Sequence, residues 1–172
     1  MSATEVFFSG TFASPLGPML ALVNGDGDLV RLDFAETAQD DQADTWHGLP
    51  MQRDPARIAH VHAQMDDYFL GQRQTFDLRL SPQGNPFLQS VWALLCDIPY
   101  GVTTHYGALA KLLGRPGASR AVGRANGLNP ISIIIPCHRV IGADGTLTGY
   151  AGGLHRKQAL LALEGAQQAL AF

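Results

Sequence analysis

Asn129-Pro130-Ile131-Ser132-Ile133-Ile134-Ile135-Pro136-Cys137-His138-Arg139-Val140 is the stretch on which the reading of this chain turns. Residues 131 to 135 are dominated by isoleucine, stiff at χ1 and suited to a pleated surface, which predicts a buried strand that delivers the chain into Pro136-Cys137-His138. A thiol is a good nucleophile only as the thiolate, and an ordinary cysteine ionises near pKa ~8.5, so the chemistry needs a neighbour that accepts or shares the proton. His138 can fill that role. Adjacent strand residues point to opposite faces, so the two side chains cooperate only if the chain turns at Cys137 or a water bridges them. Residues 154 to 164 read as an amphipathic helix closed by Glu164, which could orient His138 as the third member of a Cys-His-acid relay; spacing alone leaves that role open. A turnover hydrolase acting on acyl groups would use the same three side chains.

Upstream, Asn85 and Pro86 read as cap and first residue of a helix running to about residue 98, with Phe87, Val91, Trp92, Leu94 and Leu95 buried and Cys96 packed among them. Pro99-Tyr100-Gly101 ends it. A helix over about 104 to 113, a tight Gly114-Arg115-Pro116-Gly117 turn and a second helix over about 118 to 128 make a helix-turn-helix pattern. The second helix, Ser119-Arg120-Ala121-Val122-Gly123-Arg124-Ala125-Asn126-Gly127, is poor in bulky side chains, and its glycines cost helix stability, so they are read as permitting close approach to something. Several glycines between 114 and 127 do not make a nucleotide fingerprint, because no strand precedes them.

The amino-terminal half reads differently. Met19, Ala21 and Val23 share one face of a strand, Asn24-Gly25-Asp26-Gly27 is a turn signal, and residues 29 to 34 complete a hairpin. Residues 36 to 50 are acidic and polar and are expected to form a loop. Asp54 as cap and Pro55 as first residue then open a helix with Ile58, Val61, Met65, Tyr68 and Phe69 on one stripe, closed by Gly71. Residues 75 to 80 alternate and are expected to return to the sheet, and Ser81-Pro82-Gln83-Gly84 reads as a linker that places a domain boundary at 82.

The bulk properties agree with a packed core: 46% of the 172 residues are apolar and 16% charged. The first residues show no basic start followed by a long apolar run, so neither a signal peptide nor a membrane span is expected. Two cysteines cannot build a disulfide framework, and a reduced thiol fits the cytosol. Net charge is −3, yet residues 1 to 82 carry −7 and residues 83 to 172 carry +4. Lys111, Arg115, Arg120, Arg124, Arg139, Arg156 and Lys157 thus form an electropositive half that could meet a phosphate backbone. His60 and His62 stand two apart on a helix and diverge, and His47, His105 and His155 have no ligand spacing, so no metal site is expected.

The pentapeptide Pro136 to Val140, with Asn129-Pro130 before it and Gly149-Tyr150-Ala151-Gly152-Gly153-Leu154 after it, resembles the O6-alkylguanine-DNA alkyltransferase family, also called methylated-DNA–protein-cysteine methyltransferases. The resemblance spans residues 87 to 165; the first half resembles the family's variable amino-terminal domain only in size and character. It implies an α+β chain of two small domains: a ribonuclease-H-like sheet with a helix over 1–82, and a helical domain with a helix-turn-helix and the active cysteine over 83–172. It implies direct reversal of damage, in which O6-alkylguanine, and O4-alkylthymine with it, is flipped from duplex DNA and its alkyl group moves irreversibly onto Cys137. Such a protein is an enzyme only in the single-turnover sense.

Carried over residue by residue, the resemblance makes Cys137 the acceptor, His138 a base working through a water, Glu164 the acid that orients it, and Asn129 a brace for the active-site turn. Tyr106 helps rotate the nucleotide and donates to guanine N3, while Arg120 enters the duplex in place of the flipped base. The helix of Ser119, Ala121, Gly123, Arg124, Ala125, Asn126 and Gly127 would lie in the minor groove, its small residues keeping the surface slim. The carbonyls of Cys137 and Val140 accept from the guanine amine, the backbone N–H of Ala151 meets O6, and Pro136, Tyr150, Gly152 and Gly153 wall the pocket, with Lys157 serving the active-site loop. Ala151 stands where relatives often have serine. Some relatives bind zinc in the amino-terminal domain; without a cysteine before Cys96 none is expected, nor any cofactor. The implied partner is double-stranded DNA containing O6-alkylguanine, with no membrane, a monomer or a cluster on DNA, and a cytoplasmic location. A lesion-binding module that recruits other factors is the rival reading, and the reactive cysteine speaks against it.

The physics suits that reading. A base must leave the stack before O6 can be reached, and unstacking costs about a few kcal/mol, offset by an inserted side chain and a fitted pocket.

Overall fold

The computed structural model describes residues 4–36 and 43–166, and the chain divides into two compact units between Gln83 and Gly84. The first unit is built on β1 (Phe7–Phe12), β2 (Met19–Val23), β3 (Leu29–Phe34), β4 (Thr45–Trp46) and β5 (Leu49–Arg53). They form one sheet in the order β3-β2-β1-β5-β4, antiparallel throughout except where β1 runs parallel to β5.

Register decides which side chains share a face. Phe8, Gly10 and Phe12 lie opposite Val23, Ala21 and Met19, so these six point the same way. On that face the 3-10 turn Pro55–Ile58 settles directly onto Gly10, where an added Cβ would come within 2.6 Å of Ile58. Helix α1 (Ala59–Phe69) follows, burying Val61, Met65 and Tyr68, and His62 stacks on Phe12. The opposite face is covered as well. Phe7, Leu22, Val30 and Met51 form a buried cluster beneath Trp46 and Leu49. All five residues of β2 are therefore buried, so its alternation separates two packed faces rather than core from solvent.

Three expectations for this unit need correction. Within the segment 36 to 50, expected to be a loop, residues 37–42 lie outside the described residues, but β4 and β5 form a hairpin around His47 and Gly48, whose φ values are 50° and 77°. A two-residue turn with both φ positive matches the twist of the flanking strands, and the apolar lid Trp46, Leu49 and Met51 outweighs the polar composition around it. Asp54 does not cap by its side chain; its carboxylate pairs with Arg57 instead. Residues 75 to 80 make no strand, and meet the sheet through a bridge from Leu80 to Leu29, flanked by Leu29 N–H donating to Arg79 O and Ser81 N–H donating to Leu29 O.

In the second unit, α2 (Pro86–Cys96) starts as its cap residue dictates: Asn85 Oδ1 accepts from Leu88 N–H at 2.9 Å, and Pro86 sits where its missing N–H is harmless. Val91, Trp92 and Leu95 are buried, but Phe87 and Leu94 are only half-buried and Cys96, in the last turn, is exposed. Its thiol is held above its ordinary value by desolvation and by the Asp97 carboxylate. The expected helix from 104 begins two residues later. Thr104–His105 is a short strand, β6, paired in parallel with β7 (Val140–Ile141), and α3 (Tyr106–Leu112) follows with His105 Nδ1 accepting from Ala108 N–H as its cap. After the 114–117 turn comes α4 (Ser119–Gly127), tied to α2 by Trp92 Nε1–H donating to Ala125 O at 2.9 Å. Helix α5 (Leu154–Leu163) closes the unit. Among the described residues no helix is long and apolar enough to cross a membrane.

Candidate active site

The run 131 to 135 is not the strand its composition predicts. It is a succession of tight turns in which Ile134 N–H donates to Ser132 O, Ile135 N–H to Ile131 O and Cys137 N–H to Ile135 O. Propensity for strands measures fit to a half-buried surface more than backbone preference, and here the isoleucines find burial without a ladder: Ile131, Ile133 and Ile135 are at most 1% exposed. Ile133 even adopts φ 71°, a conformation that costs a β-branched residue about 1–3 kcal/mol and persists only where its surroundings over-determine it. Asn129 supplies much of that constraint, its Oδ1 accepting from Ile131 N–H at 2.9 Å and its Nδ2 donating to Ile135 O at 2.8 Å.

The chain then turns at the cysteine. Cys137–Arg139 is a 3-10 turn, so Cys137 and His138 escape the opposed geometry of a strand. Cys137 is 5% exposed and His138 is fully buried. His138 Nε2 lies 2.8 Å from Glu164 Oε2; since a carboxylate only accepts, Nε2 carries the proton. Burial pushes the His138 pKa below its ordinary 6.5, only partly opposed by Glu164. The ring is therefore neutral near pH 7 and Nδ1 holds a lone pair, with no protein partner among the described residues.

Glu164 caps α5 and is gripped from a second side. Arg139 donates Nε–H to Oε1 at 2.7 Å and Nη2–H to Oε2 at 3.1 Å, and its Nη1 reaches Ile98 O at 2.6 Å. Forked pairing of this kind suits guanidinium and carboxylate and offsets the cost of burying both charges. Lys157, fully buried, donates from Nζ to Val140 O at 2.6 Å and to Thr148 O at 3.0 Å. Its pKa is lowered to about 8, mainly by desolvation, against which the Cys137 thiolate raises it. Coulomb attraction is mutual, so the same ammonium favours the thiolate.

Other residues singled out in the sequence are held by the following contacts. Asn126 Nδ2 approaches Cys137 O at 3.4 Å, and Tyr106 Oη sits 2.7 Å from Thr148 Oγ1 with its ring against Gly123. Tyr150, Ala151, Gly152 and Gly153 form the turn into α5, with Gly153 N–H donating to Tyr150 O and Arg156 Nη1–H to Gly152 O, while Pro136 is buried beside the thiol in sequence.

On α4 the outer face carries Arg120, Ala121, Arg124 and Gly127, with Ser119 and Gly123 half-buried. Ala125 and Asn126 do not belong to it. They are 1% and 4% exposed and face inward, Ala125 taking the Trp92 hydrogen bond, so their expected place on a slim outer surface is corrected. The electropositive half shrinks for the same reason. Arg139 and Lys157 are buried, leaving Lys111, Arg115, Arg120 and Arg124 exposed and Arg156 half-buried. Sequence reasoning misses Arg139 as a partner of Glu164, because nothing local marks a partner 25 residues away. Among the described residues no group of three His, Cys, Asp or Glu could hold a metal.

Known proteins resemble the chain over nearly all its length. Residues 7–82 match the model of the 6-O-methylguanine DNA methyltransferase ribonuclease-like domain, and residues 86–166 match that of the DNA binding domain. A methylated-DNA–protein-cysteine methyltransferase of Mycobacterium tuberculosis is 47% identical over 90% of both chains. The Methanosarcina barkeri protein of that name is 49% identical over 88% of this chain and 92% of its own. The crystal structure of the Mycobacterium tuberculosis O6-methylguanine methyltransferase aligns with a TM-score of 0.82 at 44% identity, covering 93% of each chain, and the same protein has been crystallised with DNA.

Proposed function

The chain belongs to the 6-O-methylguanine DNA methyltransferase family, and on that premise we propose that Cys137 is the residue that takes the alkyl group from O6-alkylguanine in duplex DNA. The protein repairs DNA by moving a methyl group from the base to its own cysteine, and DNA is its partner. The observation that carries the assignment to Cys137 is the buried Glu164 carboxylate, which holds His138 by Nε2 at 2.8 Å one residue from the thiol.

The Cys137 proton passes to His138 Nδ1 through a bridging water, and the thiolate is stabilised by the Lys157 ammonium. Attack at the alkyl carbon forms the Sγ–C bond and breaks the C–O6 bond; its electron pair stays with the purine, which takes up a proton and leaves as neutral guanine. Tyr106 donates to N3, and Arg120 fills the gap left in the duplex. The carbonyls of Cys137 and Val140, the Ala151 N–H and the walls Pro136, Tyr150, Gly152 and Gly153 receive the flipped base. Water cannot displace a thioether, so each molecule reacts once. O4-alkylthymine is a second substrate, the protein works as a monomer in the cytoplasm, and residues 1–82 and 83–172 are its two functional parts.

Mixing the protein with a duplex carrying methyl-labelled O6-methylguanine tests the reading. Label on Cys137 at no more than one equivalent is expected; turnover beyond one equivalent, or label elsewhere, refutes it. Cys137→Ser should end transfer while lesion binding persists.

A further inference from the structure

Thr148 belongs to none of the roles described so far, yet its hydroxyl is the one that Tyr106 meets in the chain between β7 and α5. Its side-chain hydroxyl lies 2.7 Å from the Tyr106 hydroxyl, and its backbone carbonyl takes a hydrogen bond from Lys157 Nζ at 3.0 Å. Tyr106 is the first residue of α3, while Thr148 lies in the chain between β7 and α5, two residues before Tyr150. The two hydroxyls therefore join α3 to the chain that leads into α5 side chain to side chain, across 42 residues.

Two hydroxyls share a single hydrogen at a time. A phenol is the stronger acid of the two, so with no base present the Tyr106 proton is best given to Thr148. For Tyr106 to give that proton to a purine nitrogen, the shared hydrogen must become Thr148's. The exchange needs no change in the 2.7 Å separation, only a rotation of two O–H bonds. Once Thr148 donates to the phenol oxygen, it polarises the phenol and strengthens its outward hydrogen bond, since linked hydrogen bonds reinforce one another.

We propose that Thr148 is a positioning residue for alkyl transfer: its hydroxyl parks the Tyr106 proton in the free protein and, by reversing its own donor role, presents that proton to the ring of the flipped base. This rests on Tyr106 being the donor to the base. Only a side chain that both donates and accepts can serve, so serine should replace threonine and valine, its isostere, should not.

Single-turnover transfer rates decide the matter, measured on a duplex containing O6-methylguanine and on free O6-benzylguanine, with thermal melting followed for each variant. Thr148→Val is expected to slow both reactions roughly three- to ten-fold, the worth of one neutral hydrogen bond, and Thr148→Ser to restore them. In a Tyr106→Phe background, Thr148→Val should bring no further loss. Wild-type rates in Thr148→Val, an unrescued loss in Thr148→Ser, or an equal loss in the Tyr106→Phe background would overturn the proposal. Should Thr148→Val fail to fold, Thr148→Ala takes its place in the same cycle with the same outcomes. A wild-type protein that places no label on Cys137 would instead overturn the wider functional reading.

Discussion

At the scale of single residues, the site is governed by what burial does to charge. Glu164 is a buried carboxylate tolerated because Arg139 and His138 both meet it. Lysine cannot reproduce the fork of a guanidinium, and a buried carboxylate left half-paired is expensive. Arg139→Lys is therefore expected to lower stability by about 1–3 kcal/mol, read from urea midpoints, and to slow transfer by loosening His138. Acid should act on the same cluster. Burial holds His138 below its ordinary 6.5, so the unfolded chain binds its proton more readily than the folded one. The stability tied to neutral His138 is complete above that pH and is lost as pH falls beneath it. Lys157 titrates at the other end: between about 8 and 10.5 the unfolded chain again holds more protons, so its contribution rises with pH across that window. Urea midpoints between pH 5 and 10, with Lys157→Met to remove the upper slope, check both signs.

Elements show what the sequence could and could not disclose. Helix α2 was legible because Asn85 and Pro86 are local signals that act within four residues. The hairpin of β4 and β5 was hidden by polar neighbours, since Trp46, Leu49 and Met51 matter only once Phe7 and Leu22 lie beneath them. The isoleucine run misled for the same reason: its burial was readable, but its backbone path depends on the side chain of Asn129 two residues ahead. Cys137, His138 and Glu164 could be suspected from pattern and resemblance, whereas Arg139's grip on Glu164 and Ile98 spans 25 and 41 residues and has no local trace. Helix α4 was divided wrongly at Ala125 and Asn126, because small residues suit a close interior contact as well as an exposed one. Its remaining outer face carries a prediction. Arg120→Ala should weaken repair of duplex substrate at least ten-fold more than reaction with free O6-benzylguanine, because only the duplex has a gap to fill. Equal losses on the two substrates would remove Arg120 from that role.

For the whole molecule, charge limits how DNA can be held. The chain is slightly acidic, and the second unit keeps Lys111, Arg115, Arg120 and Arg124 exposed. Each neutralised phosphate contributes a slope of about −0.9 to the dependence of log affinity on log salt. Four contacts predict a slope no steeper than about −4, measured by duplex binding between 50 and 200 mM salt, and a much steeper value would mean that other cations reach the backbone. Affinity of this modest electrostatic kind carries no information about the base, because phosphates are alike in every sequence. Thr104 and His105 pair with Val140 and Ile141, directly after the turn that carries the thiol and directly before α3. This ladder, two residues long, ties the start of α3 to the end of the turn that holds Cys137. Substitutions that break this pairing should therefore disturb both ends at once, the entry into α3 and the seat of the thiol, which transfer rate and thermal melting read together.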